Sequence, residues 1–588
     1  MTRTTTGSSG GRPMIMSRRG VVSSGHYLAT EIGMGILRRG GNAFDAAAAV
    51  GFTLALTKPH QNGIAGEVPM VVYSARDKSV SVLSGHGVAP GAATINLFCG
   101  LGLEIIPGDG FLPAVVPPAV ATYILLVERF GTMHLADVLT PAVELAAEGF
   151  PMYDGLRTSI QNAAERFKGE WPSSAETFMP GGRVSDSGTI WQNPGWARTL
   201  RRLIRAEGRF RRRTDGLRAA YDEFYRGPIA EGIVKFSSTT AVKDASGKAH
   251  TGLLTIEDFD GYRARVEKPV TTQYGGIGVH KCTTWSQGPA MLQALNLLEG
   301  FDLVAMGRNS ADYIHTVTEC MKLAYADREF YYGDPDFADV PLKMLLSKGY
   351  ADERRDLVDP GHASLELRPG GRRPIKAESV IDVNAAFAAG DSRHGDTTKF
   401  EVIDSAGNMV SGTPSGGWLS TSPVIPGMGF PLGTRGQMFS LVEGHPNCLE
   451  PGKRPRTTLT PTIATKRGAP FMSFGSPGGD SQDQWALQFF LNVVEFEMSL
   501  QEAVEAPTFW TNHFPSSFYP RTAEAGSLYV EGRIPAAVRG ELARRGHVVK
   551  TCADWAGGNT LAAAIDVRKR VLSAAASPRL EPAYAAGW

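Results

Sequence analysis

A short run of strand-forming residues, 398–403, begins directly after Thr397. Residues 405–408 are of turn-forming types, and residues 409–411 can return as the second strand of a hairpin. The preceding residues, 390–396, form a polar run that is typical of an exposed, cleavable loop. The sequence therefore predicts a β-hairpin with Thr397 at its head, directly after a segment that can be cut.

Cleavage of the bond between Asp396 and Thr397 would make Thr397 an N-terminal residue. Its hydroxyl would then lie beside a free α-amine, whose reference pKa of about 7.7–8.0 suits a general base near neutral pH. A nucleophile and a base in one residue are the chemistry of an N-terminal nucleophile hydrolase. On this stretch alone, an ordinary threonine at the head of a strand is the simpler interpretation.

The charge balance argues against macromolecular polyanions as partners. The 588 residues include 60 basic and 59 acidic side chains, so net charge predicts neither nucleic-acid nor membrane binding. The basic stretch 198–218 has few aromatic residues and no recognition motif around it, which favours a solvated helix face. The expected partner is a small-molecule substrate.

The cysteines and the first residues indicate the compartment. Five scattered cysteines without metal-ligand spacing are typical of a reduced, intracellular protein and predict no metal site. Residues 1–19 contain no apolar signal region, and no apolar run approaches the length of a spanning helix. We therefore expect a cytoplasmic protein. Since no phosphate-binding or dinucleotide motif is present, no cofactor is expected.

The N-terminal third predicts helices packed on a sheet. Residues 26–39 have helical periodicity, and Asn42 begins a second helix with a capping arrangement. The body of that helix, 46–56, is apolar all round, which indicates burial between layers. Residues 71–73 and 80–83 are predicted strands. This order favours layered helix–sheet packing.

Five motifs occur in the order found in one known family: Gly-Gly-Asn-Ala-Phe-Asp-Ala-Ala at 40–47, Tyr-Gly-Asp-Pro-Asp-Phe at 332–337, Asp-Thr-Thr at 396–398, Pro-Gly-Lys-Arg-Pro at 451–455 and Gly-Ser-Pro-Gly-Gly at 475–479. Through these motifs, and over residues 20–578, the chain resembles the γ-glutamyltransferase family. The resemblance implies an α/β (α+β) fold, a four-layer αββα sandwich of the N-terminal nucleophile hydrolase type. It also implies autocatalytic cleavage into a large (α) subunit segment, 1–396, and a small (β) subunit segment, 397–588. The two segments would form one fold and a mature α/β heterodimer, which can dimerise further.

The resemblance also implies the catalytic groups. The Thr397 hydroxyl would be the nucleophile, and Ser415 matches the position whose hydroxyl bonds to it, although a simple turn serine fits equally. Gly478 and Gly479 follow a short strand and precede a helix that begins near residue 480. Their N–H groups would lie at a helix N-terminus and suit a tetrahedral oxyanion, while a glycine turn that packs strand against helix is the alternative.

The predicted substrate-binding residues show where the chain departs from the family. Thr457 and Thr458 match a hydroxyl pair that contacts the substrate carboxylate in the family. The arginine that binds the γ-glutamyl α-carboxylate is replaced by His86, and the acidic residue that binds its α-amine is replaced by Ser440. The same stretch contributes Gln437 to the predicted binding set.

Two basic residues near the predicted site have open interpretations. Arg435 is either a replacement carboxylate fork or a surface arginine in a glycine-rich loop. Lys399 stands where the family usually has histidine and is expected to be solvated or salt-bridged. On a strand it would share the face of Thr397.

These observations favour an autoprocessed, threonine-dependent amidohydrolase or acyltransferase that cleaves an amide of a carboxylate-bearing small molecule through an acyl-enzyme. This pattern resembles the family's divergent branch, which includes cephalosporin acylase-like and oxamate amidohydrolase-like enzymes. The first alternative is a true γ-glutamyltransferase or glutathione hydrolase with relocated charged contacts. The second is an uncleaved, non-catalytic family member.

Overall fold

A computed structural model describes residues 11–372, 375–376, 397–579 and 582–588. Two seven-stranded antiparallel sheets form its centre. Sheet I has the order β23 (Tyr584–Gly587), β2 (Gly20–Ser24), β14 (Phe400–Asp404), β15 (Met409–Gly412), β3 (Met70–Ser74), β4 (Ser79–Leu83) and β9 (Val266–Glu267). Sheet II has the order β1 (Ile15–Ser17), β22 (Val571–Ala576), β21 (Leu561–Asp566), β17 (Ala469–Gly475), β16 (Thr462–Lys466), β11 (Ile277–Lys281) and β10 (Val270–Tyr274).

The helices are α1 (Tyr27–Arg38), α2 (Ala43–Thr57), α3 (Ile95–Gly100), α4 (Ala119–Phe130), α5 (Leu135–Glu148), α6 (Asp154–Gly169), α7 (Pro172–Phe178), α8 (Pro194–Glu207), α9 (Arg213–Tyr225), α10 (Pro228–Thr239), α11 (Ile256–Gly261), α12 (Gly288–Leu298), α13 (Leu303–Met306), α14 (Ala311–Tyr331), α15 (Leu342–Leu345), α16 (Lys348–Arg355), α17 (Gln482–Val494), α18 (Leu500–Glu505) and α19 (Ala536–Arg544). Short 3-10 turns cover Pro180–Gly182, Arg435–Met438 and Gly479–Ser481. The smaller strands are β5 (Phe150–Pro151), β6 (Ile190–Trp191), β7 (Val242–Lys243), β8 (Ala249–His250), β12 (Glu366–Leu367), β13 (Ile375–Lys376), β18 (Phe509–Trp510), β19 (Ser527–Glu531) and β20 (Val548–Cys552).

Three apolar cores separate four layers and confirm the predicted αββα sandwich. One core lies between the two sheets and contains Ile403 from sheet I and Ile463 from sheet II. A second packs α1 and α2 on the outer face of sheet I through residues such as Val402. The third packs α12, α14 and α17 on the outer face of sheet II through residues such as Phe474. Side chains alternate along β14, so one strand serves two cores.

The predicted N-terminal helices and strands are confirmed. Helix α2 is buried along its whole length, and Asn42 and Asp45 form a capping box at its start. Strands β3 and β4 pair as a hairpin, with Met70 opposite Leu83. A helix that is apolar on all sides must be buried on all sides, and α2 is buried because it lies between sheet I and the other helices.

The predicted hairpin after Thr397 is also present. Strand β14 pairs with β15, and it pairs on its other edge with β2, from the N-terminal part of the chain. Sheet I therefore contains strands from both before and after residue 397, with β14 and β15 paired between β2 and β3. The basic stretch forms parts of α8 and α9, with Arg198, Arg201 and Arg205 exposed on α8, which confirms the solvated helix face. In the part of the chain that the structure describes, no helix is both long enough and apolar enough to span a bilayer.

Candidate active site

Thr397 and Ser415 meet at the entrance of the hairpin. Thr397 is 2% exposed, and its Oγ1 donates a hydrogen bond of 3.1 Å to Ser415 Oγ. The backbones of the two residues form an isolated antiparallel bridge just before β14 and just after β15. The geometry thus brings together the predicted nucleophile and its predicted hydroxyl partner. The other side of the predicted cleavage point, Asp396, lies outside the described residues.

Ser415 is held from behind by a buried ion pair. Arg435 donates from Nη2 to Ser415 Oγ at 2.9 Å and from Nε to Glu67 Oε2 at 3.0 Å. The Ser415 backbone exchanges two hydrogen bonds with Glu67, of 2.8 and 3.0 Å. Arg435 is only 2% exposed, so the interpretation as a surface arginine is wrong. Its charge is compensated by Glu67, a carboxylate that the sequence analysis missed.

Glu67 and Arg435 are both buried, so their charges interact away from solvent. Burial raises the pKa of the Glu67 carboxyl, and the Arg435 guanidinium opposes that rise. The guanidinium carbon also lies 5.8 Å from the ring centroids of Trp418 and of Phe518. Arg435 is therefore fixed on several sides and bonds to the Ser415 hydroxyl that also accepts from Thr397.

The glycine pair follows β17 as predicted. Gly478 has a φ of 124° and Gly479 a φ of 54°, and a Cβ on Gly478 would overlap the ring of Trp485. Helix α17 begins at Gln482, close to the predicted start. Among the described residues, neither glycine N–H has an acceptor. Two unbonded amides before a helix have the donor chemistry of an oxyanion hole.

Lys399 connects the β14–β15 hairpin to β17, the strand that leads to the glycine pair. Its Nζ pairs with Glu401 at 2.6 Å and donates to Ser411 Oγ at 2.7 Å, so the salt-bridged interpretation is confirmed. A Cβ on Gly475, the last residue of β17, would come within 2.5 Å of Lys399 Cε. Burial lowers the pKa of Lys399 and raises that of Glu401 to about 7. The pair thus lies between the two sheets.

Thr457 is connected to the glycine pair through one glutamine, Gln287. The Gln287 backbone N–H donates to the Thr457 carbonyl at 2.9 Å, and its side chain donates to the Gly479 carbonyl at 3.4 Å. The Thr457 hydroxyl accepts a hydrogen bond from the Leu459 N–H. Thr458 Oγ1 is buried and has no partner in the described parts of the chain. A buried hydroxyl without a partner is uncommon in folded proteins, and the contact of Thr458 with a substrate carboxylate stays a prediction.

Comparison with known proteins identifies the family. The gamma-glutamyltranspeptidase family model matches residues 29–587 of this chain. The chain belongs to the gamma-glutamyltranspeptidase family. This confirms the resemblance seen in the motifs, and it makes the protein an enzyme of a family of hydrolases and acyltransferases.

Relatives within the gamma-glutamyltranspeptidase family include proteins named as glutathione hydrolases and proteins named as acylases. The "Glutathione hydrolase proenzyme" of Pseudomonas sp. (strain A14) is 32% identical over 85% of this chain and 83% of that protein. The "Acylase ACY 1 proenzyme" of Pseudomonas sp. (strain SE83) is 32% identical over 92% and 89%. Among solved structures, LmbA2991T421A is 44% identical with a TM-score of 0.92 and covers 98% of this chain and 99% of that chain. The cephalosporin acylase from Bacillus halodurans is 29% identical with a TM-score of 0.84, over 100% and 99%.

Three other predicted binding residues of this gamma-glutamyltranspeptidase family member have structural partners. His86 Nε2 lies 2.5 Å from the Pro455 carbonyl, and burial and Arg435 lower the pKa of His86 to about 3. Gln437 Nε2 donates to the Gly108 carbonyl at 3.0 Å, and Ser440 Oγ accepts from the Val442 N–H at 3.1 Å. A neutral His86 does not replace the positive charge of an arginine. The binding roles of these three residues stay predictions.

One group of described residues has a spacing that could hold a metal ion. The ligand atoms of His315, Glu319 and His547 lie within 4.8 Å of one another. However, the Glu319 carboxylate already pairs with Lys322 at 2.6 Å and with Arg368 at 3.1 Å. The two imidazoles bond to each other at 2.9 Å. The protein's own cations and hydrogen bonds thus account for this cluster as a buried polar network.

Proposed function

We propose that this chain is an autoprocessed, threonine-dependent amidohydrolase or acyltransferase that acts on an amide of a carboxylate-bearing small molecule. The observation that carries the proposal is the 3.1 Å hydrogen bond between the Thr397 and Ser415 hydroxyls. This contact keeps the Thr397 oxygen oriented, and Arg435 in turn orients Ser415. A nucleophile whose hydroxyl is fixed by a second hydroxyl and a buried cation matches the general pattern of activated hydroxyl nucleophiles.

In the processing step, Thr397 Oγ attacks the carbonyl carbon of Asp396. The C–N bond between these residues breaks as the ester forms, and the Thr397 nitrogen takes up the hydroxyl proton. Water then hydrolyses the ester, which leaves a carboxylate on Asp396 and a free α-amine on Thr397. The products are the two chains, 1–396 and 397–588, of an α/β heterodimer.

We place this enzyme in the cytoplasm, and cell fractionation tests that assignment.

In turnover, the Thr397 α-amine accepts the Oγ proton while Oγ attacks the substrate carbonyl carbon. The carbonyl oxygen becomes an oxyanion that the N–H groups of Gly478 and Gly479 stabilise, each worth about 2.7–4 kcal/mol by analogy with other oxyanion donors. The amide C–N bond then breaks, and the ammonium returns its proton to the leaving amine. Water, or an acceptor amine, attacks the resulting ester and regenerates the Thr397 hydroxyl.

The substrate is proposed to differ from a γ-glutamyl amide. A γ-glutamyl group presents an α-carboxylate and an α-amine, which need charged partners when they are buried. His86 is neutral, Arg435 is already paired with Glu67, and Ser440, at the position that binds the α-amine, carries no charge. The ammonium group of a γ-glutamyl substrate would therefore lack an acidic partner there. A polar site that leaves substrate charges unpaired selects against that substrate. Thr458 Oγ1 remains as a donor for a carboxylate oxygen.

The second candidate is a γ-glutamyltransferase or glutathione hydrolase. It is favoured by several relatives that are named glutathione hydrolase proenzymes. Incubation with γ-glutamyl p-nitroanilide separates the two candidates. Rapid p-nitroaniline release that depends on Thr397 would support this second candidate and contradict the first.

Intact mass spectrometry of the purified protein and of its Thr397→Ala variant tests the proposal. We expect two fragments, divided between Asp396 and Thr397, from the wild type and one full-length chain from the variant. We also expect an electrophilic acylating probe to label Thr397 of the wild type. A single full-length chain without labelling would favour the uncleaved, non-catalytic alternative.

A further inference from the structure

Arg521 is a buried cation that lacks an acidic partner. Its side chain is 8% exposed, and within the described ranges no carboxylate lies at ion-pair distance. Nη2 donates to the Gln437 carbonyl at 3.2 Å and to the Phe439 carbonyl at 2.6 Å. Nε and Nη1 have no acceptor among the described residues, and neither is sealed off from solvent. These nitrogens therefore remain as donors for a ligand.

The surrounding charges leave an excess of one positive charge. Three buried arginines, Arg328, Arg456 and Arg521, share this region with two carboxylates, Glu329 and Asp480. Glu329 pairs with Arg328 at 2.6 Å and with Arg456 at 2.8 Å, and Asp480 pairs with Arg328. Both carboxylates are thus committed to the other two arginines. Because an unpaired buried charge is costly, an excess of this kind indicates an anion-binding position.

The loop that carries Arg521 contacts both halves of the catalytic site. Ser517 donates from its N–H and from Oγ to Asp480, the residue after Gly479, at 2.9 and 2.7 Å. The Phe518 ring lies 5.8 Å from the Arg435 guanidinium, which bonds to Ser415. Loop 517–521 therefore runs between the glycine pair and the group that supports the nucleophile.

The backbone of Arg521 is held in an unusual conformation. Its φ is 64°, in the left-handed region that non-glycine residues rarely adopt. Such a conformation costs about 1–3 kcal/mol and persists where the surroundings enforce it, often at functional sites. Burial and the neighbouring Arg456 lower the pKa of Arg521 to about 10, so the guanidinium is still charged at neutral pH.

We propose that Arg521 binds the carboxylate of the substrate's acyl group and thereby selects acyl groups that carry a second acid function. This inference rests on the proposed function, because it identifies which residue of the same site recognises the negative charge of the substrate. An arginine with free N–H groups forms charge-assisted hydrogen bonds to a carboxylate. The carbonyls that hold Arg521 belong to the stretch 437–440, which already supplies two predicted binding residues, Gln437 and Ser440.

The test compares matched substrates with and without the distal acid. Succinyl, glutaryl and adipyl p-nitroanilides are paired with their uncharged counterparts, butanoyl, pentanoyl and hexanoyl p-nitroanilides. For the wild type we expect kcat/KM to be higher for at least one acid than for its counterpart. Arg521→Met should lower kcat/KM for that acid by about 10- to 100-fold, as for a lost hydrogen bond to a charged group, and should lower kcat/KM for the neutral counterpart far less. Arg521→Lys should restore part of the preference.

Tyr519→Phe is the matched control for the loop, because it removes a hydrogen bond to the Ala245 carbonyl but no charge. It should leave the preference for the acid intact. Labelling of Thr397 by the acylating probe, measured in parallel, distinguishes failure of the Arg521 role from failure of the proposed function. If the wild type is labelled but prefers no acid, or if Arg521→Met lowers acid and neutral substrates equally, the role of Arg521 is overturned while the proposed function stands. If the wild type is not labelled at all, the proposed function is overturned.

Discussion

The Glu67 carboxylate and the Arg435 guanidinium form a buried ion pair, with 3.0 Å between Oε2 and Nη2, directly behind Ser415. Removal of one member of such a pair leaves an uncompensated charge in the interior and typically costs about 3–5 kcal/mol. We expect Arg435→Met to lower the free energy of unfolding by an amount in that range, measured by urea denaturation. Because Ser415 loses its donor, processing at Thr397 should also become slower.

The control for this prediction is Arg38→Met. Arg38 also pairs with a glutamate, Glu31, at 2.9 Å, but both side chains are exposed. Exposed pairs contribute about 0–1 kcal/mol, so this variant should unfold almost like the wild type. Equal stability of the Arg435 and Arg38 variants would show that the buried pair does not support the site.

The two threonines at 457 and 458 should respond differently to the loss of their hydroxyls. The Thr458 hydroxyl has no partner in the described chain, so Thr458→Val should keep or slightly raise the free energy of unfolding. If this hydroxyl contacts the substrate, KM should rise by about tenfold, as for a lost hydrogen bond. Thr457→Val removes the acceptor of the Leu459 N–H and should instead destabilise the fold by about 1 kcal/mol. Unchanged kinetics in Thr458→Val would remove Thr458 from the binding site.

Local elements of the fold are predictable from local sequence. Asn42 caps α2, and Asp45 completes the capping box three residues later. The residues that predict the start of this helix are therefore the residues that form it. The hairpin of β14 and β15 likewise depends on a turn between adjacent strands. Thr397 and Ser415 are 18 residues apart at the two ends of this hairpin, which is why the motif match placed them together correctly.

The supporting residues are not predictable in the same way. Glu67 and Arg435 are 368 positions apart, and no local pattern encodes their pairing. Arg435 lies in a glycine-rich loop, which indicates exposure. The sequence alone does not show that it pairs with a buried carboxylate. Arg521 was missed for the same reason, because its environment is made by four other segments of the chain, at 328–329, 437–439, 456 and 480.

Gly478 should tolerate no side chain. A Cβ there would overlap the Trp485 ring, and the φ of 124° is unfavourable for any other residue. We expect Gly478→Ala to lose activity and to lower the unfolding free energy by about 1–3 kcal/mol from overpacking, beyond the cost of the backbone conformation. Gly452→Ala is the control, since its φ is 76° but nothing lies within 4 Å of the added methyl group. If both variants behave alike, the Trp485 contact is not the cause.

The buried pair of Lys399 and Glu401 should make stability depend on pH in a defined direction. Burial raises the pKa of Glu401 to about 7, whereas an unfolded glutamate titrates near 4.3. Between these two values the folded state binds more protons than the unfolded state. The free energy of unfolding contributed by this group therefore falls as pH rises from about 4.5 to about 7. The lowered pKa of Lys399 does not alter this sign while the lysine stays protonated in both states.

The double variant Lys399→Met/Glu401→Gln isolates this contribution, because it removes both charges and leaves neither one buried alone. Urea denaturation at pH 5, 6 and 7 should show that the stability of the wild type relative to the double variant falls across the series. Other titrating groups are common to both proteins, so they cancel in the difference. A difference that is flat, or that rises with pH, would mean that Glu401 is already ionised in the folded protein at pH 5. In that case the attraction of Lys399 outweighs the desolvation of Glu401, which reverses the balance inferred from its burial.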